Sequence, residues 1–232
     1  MRGRYERGRT LFISDLDGTL LDRNAALTPY TAEVINRLLA SGHRFTVATA
    51  RTWQSVERLV AGVDLALPLV LMNGVLIYDA RERRYLNVDA MSAGAAAGIL
   101  DIARANLADV LVYTVEGGDF IVEKRNAERG VLQNSQLHRV FMDDVASRRS
   151  IDRFVRGLDA AVGGEAFYFT FADTYDRMRP VCDAARELPG VAVVMSKDDY
   201  TADGWFVECF SENASKANAV RFLRESFGFE YV

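Results

Sequence analysis

After a short polar arm the chain reaches an apolar run, Leu11, Phe12 and Ile13, which passes directly into two carboxylates, Asp15 and Asp17, and then Gly18 and Thr19. Strand-forming residues followed by a glycine turn signal predict a buried strand that ends in a tight turn. Leu20 to Leu27 reads as a loop, and Thr28-Pro29 as a helix start with a capping Thr and a first-turn Pro. Val34, Ile35, Leu38 and Leu39 supply that helix with an apolar stripe, and Gly42 with a stop. Arg44 to Ala48 is a second strand, Thr49-Ala50-Arg51 follows it, and a helix with Val56, Leu59 and Val60 on one face comes next. Pro68 to Met72 is a third strand, and Asn73-Gly74 between it and the apolar run Val75 to Tyr78 is a hairpin signal. Strand, helix, strand in this order favours a parallel sheet.

From about Arg81 the texture changes. The pattern predicts helices over Ser92 to Asn106, Ser147 to Ala161 and Thr174 to Leu188, with strands over Val110 to Val115, Phe120 to Glu123, Ala166 to Phe171 and Val191 to Met195. Neighbouring strands with few strand-helix-strand units indicate an α+β sheet with helices on one face. The expected division is therefore a core of residues 1–80 and 205–232, with an inserted domain over 81–204. Trp205 to Phe210 is read as the strand that returns to the core. Ser215 then caps a helix running to Phe227, with Val220, Leu223 and Phe227 inward and Gly228 as the stop. Phe229 to Val232 looks like the beginning of another strand.

At 232 residues the chain has ample material for one large domain or two small ones. A formal net charge of -4 gives no general attraction to nucleic acid or anionic membrane, so small molecules are the expected partners. The longest apolar run, near Leu65 to Leu71, is broken by Pro68 and too short to span a membrane. Cys182 and Cys209 form no CxxC pair or disulfide framework, which predicts free thiols and a cytoplasmic protein. His43 and His138 lie far apart, so a histidine zinc site or a Ser-His-Asp triad has little support.

The chemistry gathers at Asp15 and Asp17. Carboxylates at the tip of a buried strand are costly unless paired, and a bound divalent cation would resolve the conflict. Turn capping by Asp is the simplest account of them. An EF-hand loop fails, because Thr19 and Leu20 stand where its fifth and sixth positions need Asp or Asn and Gly. A phosphoryl-transfer site is the third reading, with one Asp attacking phosphorus and the other handling protons. A hydroxyl from Thr49 at the end of the second strand is placed to hold a phosphate oxygen, or Thr49 or Thr52 simply caps the next helix. Lys216 in a first helical turn opposes the helix dipole and needs an anion.

The string Asp15-Leu-Asp17-Gly-Thr-Leu resembles the first motif of the haloacid dehalogenase superfamily. Thr49-Ala50-Arg51 resembles its second, and Ser215-Lys216 its third. Asn73-Gly74 is similar to a pair found near the active site of the Cof-type branch, and the insertion resembles that branch's large type-two cap. The resemblance implies an α/β fold, with a Rossmann-like parallel-sheet core, an inserted α+β cap, and the core's C-terminal strands apparently lacking. It implies a Mg²⁺-dependent phosphatase of a small phosphorylated metabolite. Asp15 is then the nucleophile and Asp17 the proton carrier, both placed at the metal. Thr49 and Lys216, with Leu16 and Ala50 beside them, would bind phosphate, and Arg51 and Asn73 would touch substrate.

One motif is missing. The family carries a further strand with an acidic Gly-Asp-x-x-Asn-Asp motif, and no such string follows Lys216. Loss of that anionic ligand would weaken a Mg²⁺ site, and the expectation is a longer natural chain, with a naturally short, inactive relative as the alternative. Two rivals to the phosphatase reading are a phosphomutase or phosphotransferase of the same superfamily and a catalytically impaired binding or regulatory protein.

Overall fold

The computed structural model describes residues 6, 8–125, 151–155, 158, 165–198 and 202–232. The chain divides into two compact units, one of residues 1–88 and 214–232, the other of residues 89–213. The expected helix over Ser147 to Ala161 is corrected in part, since Ile151–Val155 is a strand and most of the rest lies outside the described residues, as does His138.

In the first unit, strand β1 (Leu11–Ser14) pairs in parallel with β2 (Arg44–Val47), in the register Leu11 to Arg44 through Ser14 to Val47. A parallel bridge from Ala48 to Val70 extends the sheet toward β3 (Leu69–Leu71). On the other side of β1, Thr10 bridges in parallel to Tyr231, and the Leu11 N–H donates to the Tyr231 carbonyl at 2.9 Å. The last residues thus form the start of strand pairing that their pattern suggested. Strands β3, β4 (Leu76–Asp79) and β5 (Arg84–Val88) form an antiparallel sheet.

Helix α1 (Pro29–Ala40) begins where expected, with the Thr28 side chain accepting from the Thr31 N–H at 3.1 Å. Its stripe is narrower than the sequence suggested: Ile35 is buried, but Leu38 is 43% exposed. Helix α2 (Trp53–Val60) buries Trp53, Val56 and Val60. The core beneath joins Leu11, Ala48, Val70, Ile77, Ala219, Leu223 and Phe229. Each of the Leu, Val, Ile and Phe side chains among them contributes about 1.5–3 kcal/mol through removal from water. Phe227, expected inward, is exposed, and Phe229 occupies the core in its stead, because the turn at Gly228 redirects the chain.

Among the described residues the second unit holds one six-stranded sheet, built from β6 (Val110–Glu116), β7 (Asp119–Arg125), β8 (Ile151–Val155), β9 (Ala166–Thr174), β10 (Val191–Lys197) and β11 (Gly204–Ser211). Their order across the sheet is β10-β11-β9-β6-β7-β8. All neighbours are antiparallel except β7 and β8. Alternation sorts the side chains by face. Val110, Val112, Phe169, Phe171, Val207 and Cys209 pack with helices α3 (Ala93–Ala105) and α4 (Tyr175–Arg186). The strand Trp205 to Phe210 therefore does not return to the first unit as expected. It pairs on both sides within the second, and β5 belongs to the first, so the boundaries move from 80 and 205 to 88 and 214.

On the opposite face, Tyr168 stacks on Phe210 at 5.2 Å and donates from its hydroxyl to the Glu208 carboxylate at 2.9 Å. Desolvation pushes the Glu208 carboxyl above its usual range, against the opposing effect of that hydrogen bond. A carboxyl with a raised folded-state pKa favours folding below its unfolded pKa, and that contribution is lost as pH rises through the folded value. E208Q, which keeps an acceptor for Tyr168, is accordingly expected to match the wild type in thermal unfolding near pH 4 and to exceed it at pH 8. A wild type as stable as E208Q at pH 8 would contradict this.

Candidate active site

Strand β1 ends at Ser14, so Asp15 is the first residue beyond the sheet. Its Oδ1 accepts from the Leu16 N–H at 2.7 Å, which turns the carboxylate back over the following turn. Its Oδ2 accepts from Lys216 Nζ, also at 2.7 Å. The turn over Leu16–Leu20 has extended backbone at Asp17 and a left-handed Gly18 at φ 68°, and it closes with the Leu21 N–H on the Leu16 carbonyl. The Asp17 side chain is 52% exposed and meets Arg51 in a two-point fork, Nε to Oδ2 at 2.8 Å and Nη2 to Oδ1 at 2.7 Å. The Arg51 hydrogen bonds hold the Asp17 carboxyl below the ordinary carboxylate range.

Backbone hydrogen bonds stitch the loops that carry these residues. The Thr49 N–H donates to the Val70 carbonyl, the Met72 N–H to the Arg51 carbonyl, and the Asn73 N–H to the Thr49 carbonyl, at 2.9, 3.1 and 3.1 Å. The Thr49 hydroxyl accepts from the Arg51 N–H at 3.2 Å. Met72, Asn73 and Gly74 all have positive φ, of 46°, 58° and 97°. Such backbone is strained for the two non-glycine residues and persists only where its surroundings hold it. At Gly74 the reason is visible: a Cβ there would lie 2.3 Å from the Ser215 carbonyl carbon and oxygen and 2.7 Å from the Lys216 nitrogen. Asn73-Gly74 is thus part of a four-residue connection from Leu71 to Leu76, and also the seat of helix α5 (Lys216–Phe227).

At the start of α5 the Ser215 hydroxyl accepts from the Asn218 N–H at 3.0 Å, the expected cap. Lys216 is the first helical residue, and the anion its position calls for is the Asp15 carboxylate. Lys216 thus faces Asp15 and Arg51 faces Asp17, a cation for each acid. Ion pairs this exposed contribute about 0–1 kcal/mol to stability, so folding alone is a weak reason for the arrangement.

The other expected site residues fall nearby with different surroundings. Leu16 is fully buried and its N–H is engaged by Asp15. Thr49 is also fully buried, and Ala50 is exposed in the bend after it. Arg51, expected at the substrate, sets a two-point fork on Asp17. In the second unit, Arg177 pairs with Asp173, and Arg179 with Asp183 and Tyr175, on and beside α4. His43 is at the surface, where its Nδ1 lies 2.9 Å from the Ser41 hydroxyl.

Among the described residues no group of three or more His, Cys, Asp or Glu side chains is placed to hold a metal ion. Magnesium commonly takes only one or two carboxylates and fills its shell with water and substrate phosphate. The Asp15 carboxylate at the tip of β1 is a hard oxygen donor that suits that mode.

Gly74 and Gly42 both have positive φ, but nothing lies within 4 Å of a Cβ built on Gly42. Alanine at either position brings backbone strain of order 1–3 kcal/mol. G74A also displaces Ser215 and Lys216, so chemical denaturation should show it less stable than G42A by at least about 1 kcal/mol. Equal losses would mean that Gly74 does not seat the helix.

The profile of the haloacid dehalogenase-like hydrolases matches residues 12–231. Pyridoxal phosphate phosphatase of Escherichia coli is 26% identical over 99 residues, 43% of this chain and 36% of that protein. The 5-amino-6-(5-phospho-D-ribitylamino)uracil phosphatase of Bacillus subtilis is 31% identical over 72 residues, 31% of this chain and 27% of that protein. The matched stretch thus spans about a third of the length of these curated relatives. The crystal structure of a haloacid dehalogenase-like hydrolase from Bacteroides thetaiotaomicron superposes with a TM-score of 0.69 at 16% identity, covering 95% of this chain and 77% of that one. With the matching profile running over nearly its whole length, the chain belongs to the haloacid dehalogenase-like hydrolases.

Proposed function

We propose that the protein is a Mg²⁺-dependent phosphatase that hydrolyses a small phosphorylated metabolite through an aspartyl-phosphate. The observation that carries this reading is the Asp15 carboxylate, held at the tip of β1 between the Leu16 N–H and Lys216, with a second carboxylate two residues on. A carboxylate so oriented is a nucleophile held for in-line attack, and a neighbouring acid is what a hydroxyl leaving group needs.

In the first step an Asp15 oxygen bonds to phosphorus as the bond from phosphorus to the leaving oxygen breaks, and that oxygen takes a proton from Asp17. In the second step water bonds to phosphorus, gives its proton to the Asp17 carboxylate, and the bond from Asp15 to phosphorus breaks. Lys216 steadies the Asp15 carboxylate, and its charge and the Thr49 hydroxyl receive the phosphoryl oxygens as negative charge builds. A magnesium ion, when bound by the Asp15 carboxylate and the Asp17 carbonyl, would supply electrostatic neutralisation of the phosphoryl group.

The E. coli and B. subtilis relatives are named for phosphorylated small molecules, which supports a phosphorylated metabolite as substrate. Residues 89–213 are read as a substrate-selecting cap, because the chain leaves the first unit at 88 and returns to it at 214. Among the described residues no helix is long and apolar enough to cross a membrane, and both cysteines are free thiols, which fits the cytoplasm.

The test is release of phosphate from 4-nitrophenyl phosphate and from a panel of phosphorylated metabolites. D15N should lose at least about 10³-fold in kcat, and chelation of divalent cations should abolish turnover until Mg²⁺ is restored. Activity that survives D15N would refute the nucleophile. Silence across the panel would favour a binding protein.

A further inference from the structure

We propose that the protein forms a twofold dimer in which strand β10 of one copy pairs antiparallel with β10 of a second copy, centred on Val194. The pairing involves residues 89–213 alone and is independent of the chemistry proposed for Asp15 and Asp17.

Strand β10 lies at one end of its sheet and pairs with β11 only. At the two ends of that ladder the Glu212 N–H donates to the Gly190 carbonyl at 3.1 Å, and the Asp198 N–H donates to the Gly204 carbonyl at 2.8 Å. Bonding residues alternate along an antiparallel pair, so the even-numbered residues between Gly190 and Asp198 are the ones that face β11. The N–H and C=O groups of Val191, Val193, Met195 and Lys197 therefore point away from it. Among the described residues no other main chain pairs with that edge.

Nothing blunts this edge. Strands at the rim of a sheet are commonly kept from pairing with another chain by proline, by charge or by a bulge. From Val191 to Ser196 the strand has neither proline nor a charged residue, and its register with β11 runs unbroken. Val191, Val193 and Met195 pack toward the helices on one face, while on the other Val194 is 39% exposed. An apolar, regular edge of this kind is a template for one more strand.

The strand is complementary to itself. With the twofold axis at Val194, Val193 meets the second copy's Met195 and Val191 meets its Lys197, so every outward N–H and C=O gains a partner. Apolar side chains face apolar ones across the centre, and no charge faces its like. The ends match too: Glu187 and Glu212 are exposed beside the start of the strand and Lys197 is exposed at its finish, so antiparallel pairing brings each basic end to the other copy's acidic end. By symmetry this happens twice. Stable interfaces bury about 800 Å² per partner, and a seven-residue edge supplies only part of that, so the dimer should dissociate at concentrations on the order of micromolar.

Sedimentation velocity of the full chain over a dilution series should show a 25.8 kDa monomer passing to a dimer as concentration rises toward about 100 μM. V193P deletes a donor that faces the open edge and none that faces β11, so it should weaken the dimer at least about tenfold with an unchanged far-ultraviolet circular dichroism spectrum. Across the axis Val194 faces its own copy in a non-hydrogen-bonded pair, where Cα atoms lie about 4.5 Å apart and a disulfide can form. V194C should therefore give a disulfide-linked dimer on oxidation with copper phenanthroline. S196C, on the same face but opposite the second copy's Ala192, should not. Cys182 and Cys209 are buried and offer no competing thiol. A wild type that stays monomeric throughout the series overturns the proposal, and so does a dimer that a folded V193P leaves intact. Should V193P not fold, the two cysteine variants decide: cross-linking of S196C as readily as V194C, or of neither, overturns the Val194-centred pairing.

Discussion

The hydrogen bond from Lys216 to Asp15 joins residues 201 positions apart, and the rest of the candidate site depends on it. It forms only if the first turn of α5 comes down beside the tip of β1. That approach needs the Met72 to Gly74 connection to lie flat against Ser215, where a single Cβ would collide with the main chain. The same connection donates hydrogen bonds to the Thr49 and Arg51 carbonyls, so one tight backbone junction sets the places of both cations. Order at the site comes from main-chain geometry first and from charge second.

The charges are matched in pairs. Two carboxylates on one turn would repel, and each is met by a basic group from a different segment of the chain. Because all four groups are partly exposed, solvent screens much of their attraction and the pairs do little for folding. What they do is orient. Asp15 is held by one main-chain N–H and one ammonium, and Asp17 by a planar fork, so the acids differ in environment although two residues separate them. Different environments are what the proposed division of roles between them requires.

Much of this was legible in the order of residues. The apolar run before Asp15 placed both acids at a strand end, Thr28-Pro29 marked the start of α1, and Ser215 marked the cap that puts Lys216 in a first turn. Pairings between distant segments were not legible. Arg51 follows Thr49 closely, and nothing in Thr-Ala-Arg reveals that an acid 34 positions earlier lies within reach of its guanidinium. Gly74 carried a turn signal, but the helix it seats lies far along the chain. Trp205 to Phe210 has the alternation of a strand, and alternation does not say which sheet it joins; that is decided by pairing with β9 and β10. Ile151–Val155 failed for a related reason, since a short apolar stretch with mixed spacing suits a helix or a strand until a neighbour such as β7 is present.

The measurement that bears most directly on this account is chemical trapping of the protein during turnover, with digestion and mass spectrometry to find the modified residue. Incubation with a phosphorylated substrate and Mg²⁺, quenched rapidly, should leave a phosphoryl group on Asp15 and on no other carboxylate. A phosphoryl group on a different residue, or turnover with Asp15 unmodified under conditions that trap acyl phosphates, would contradict it.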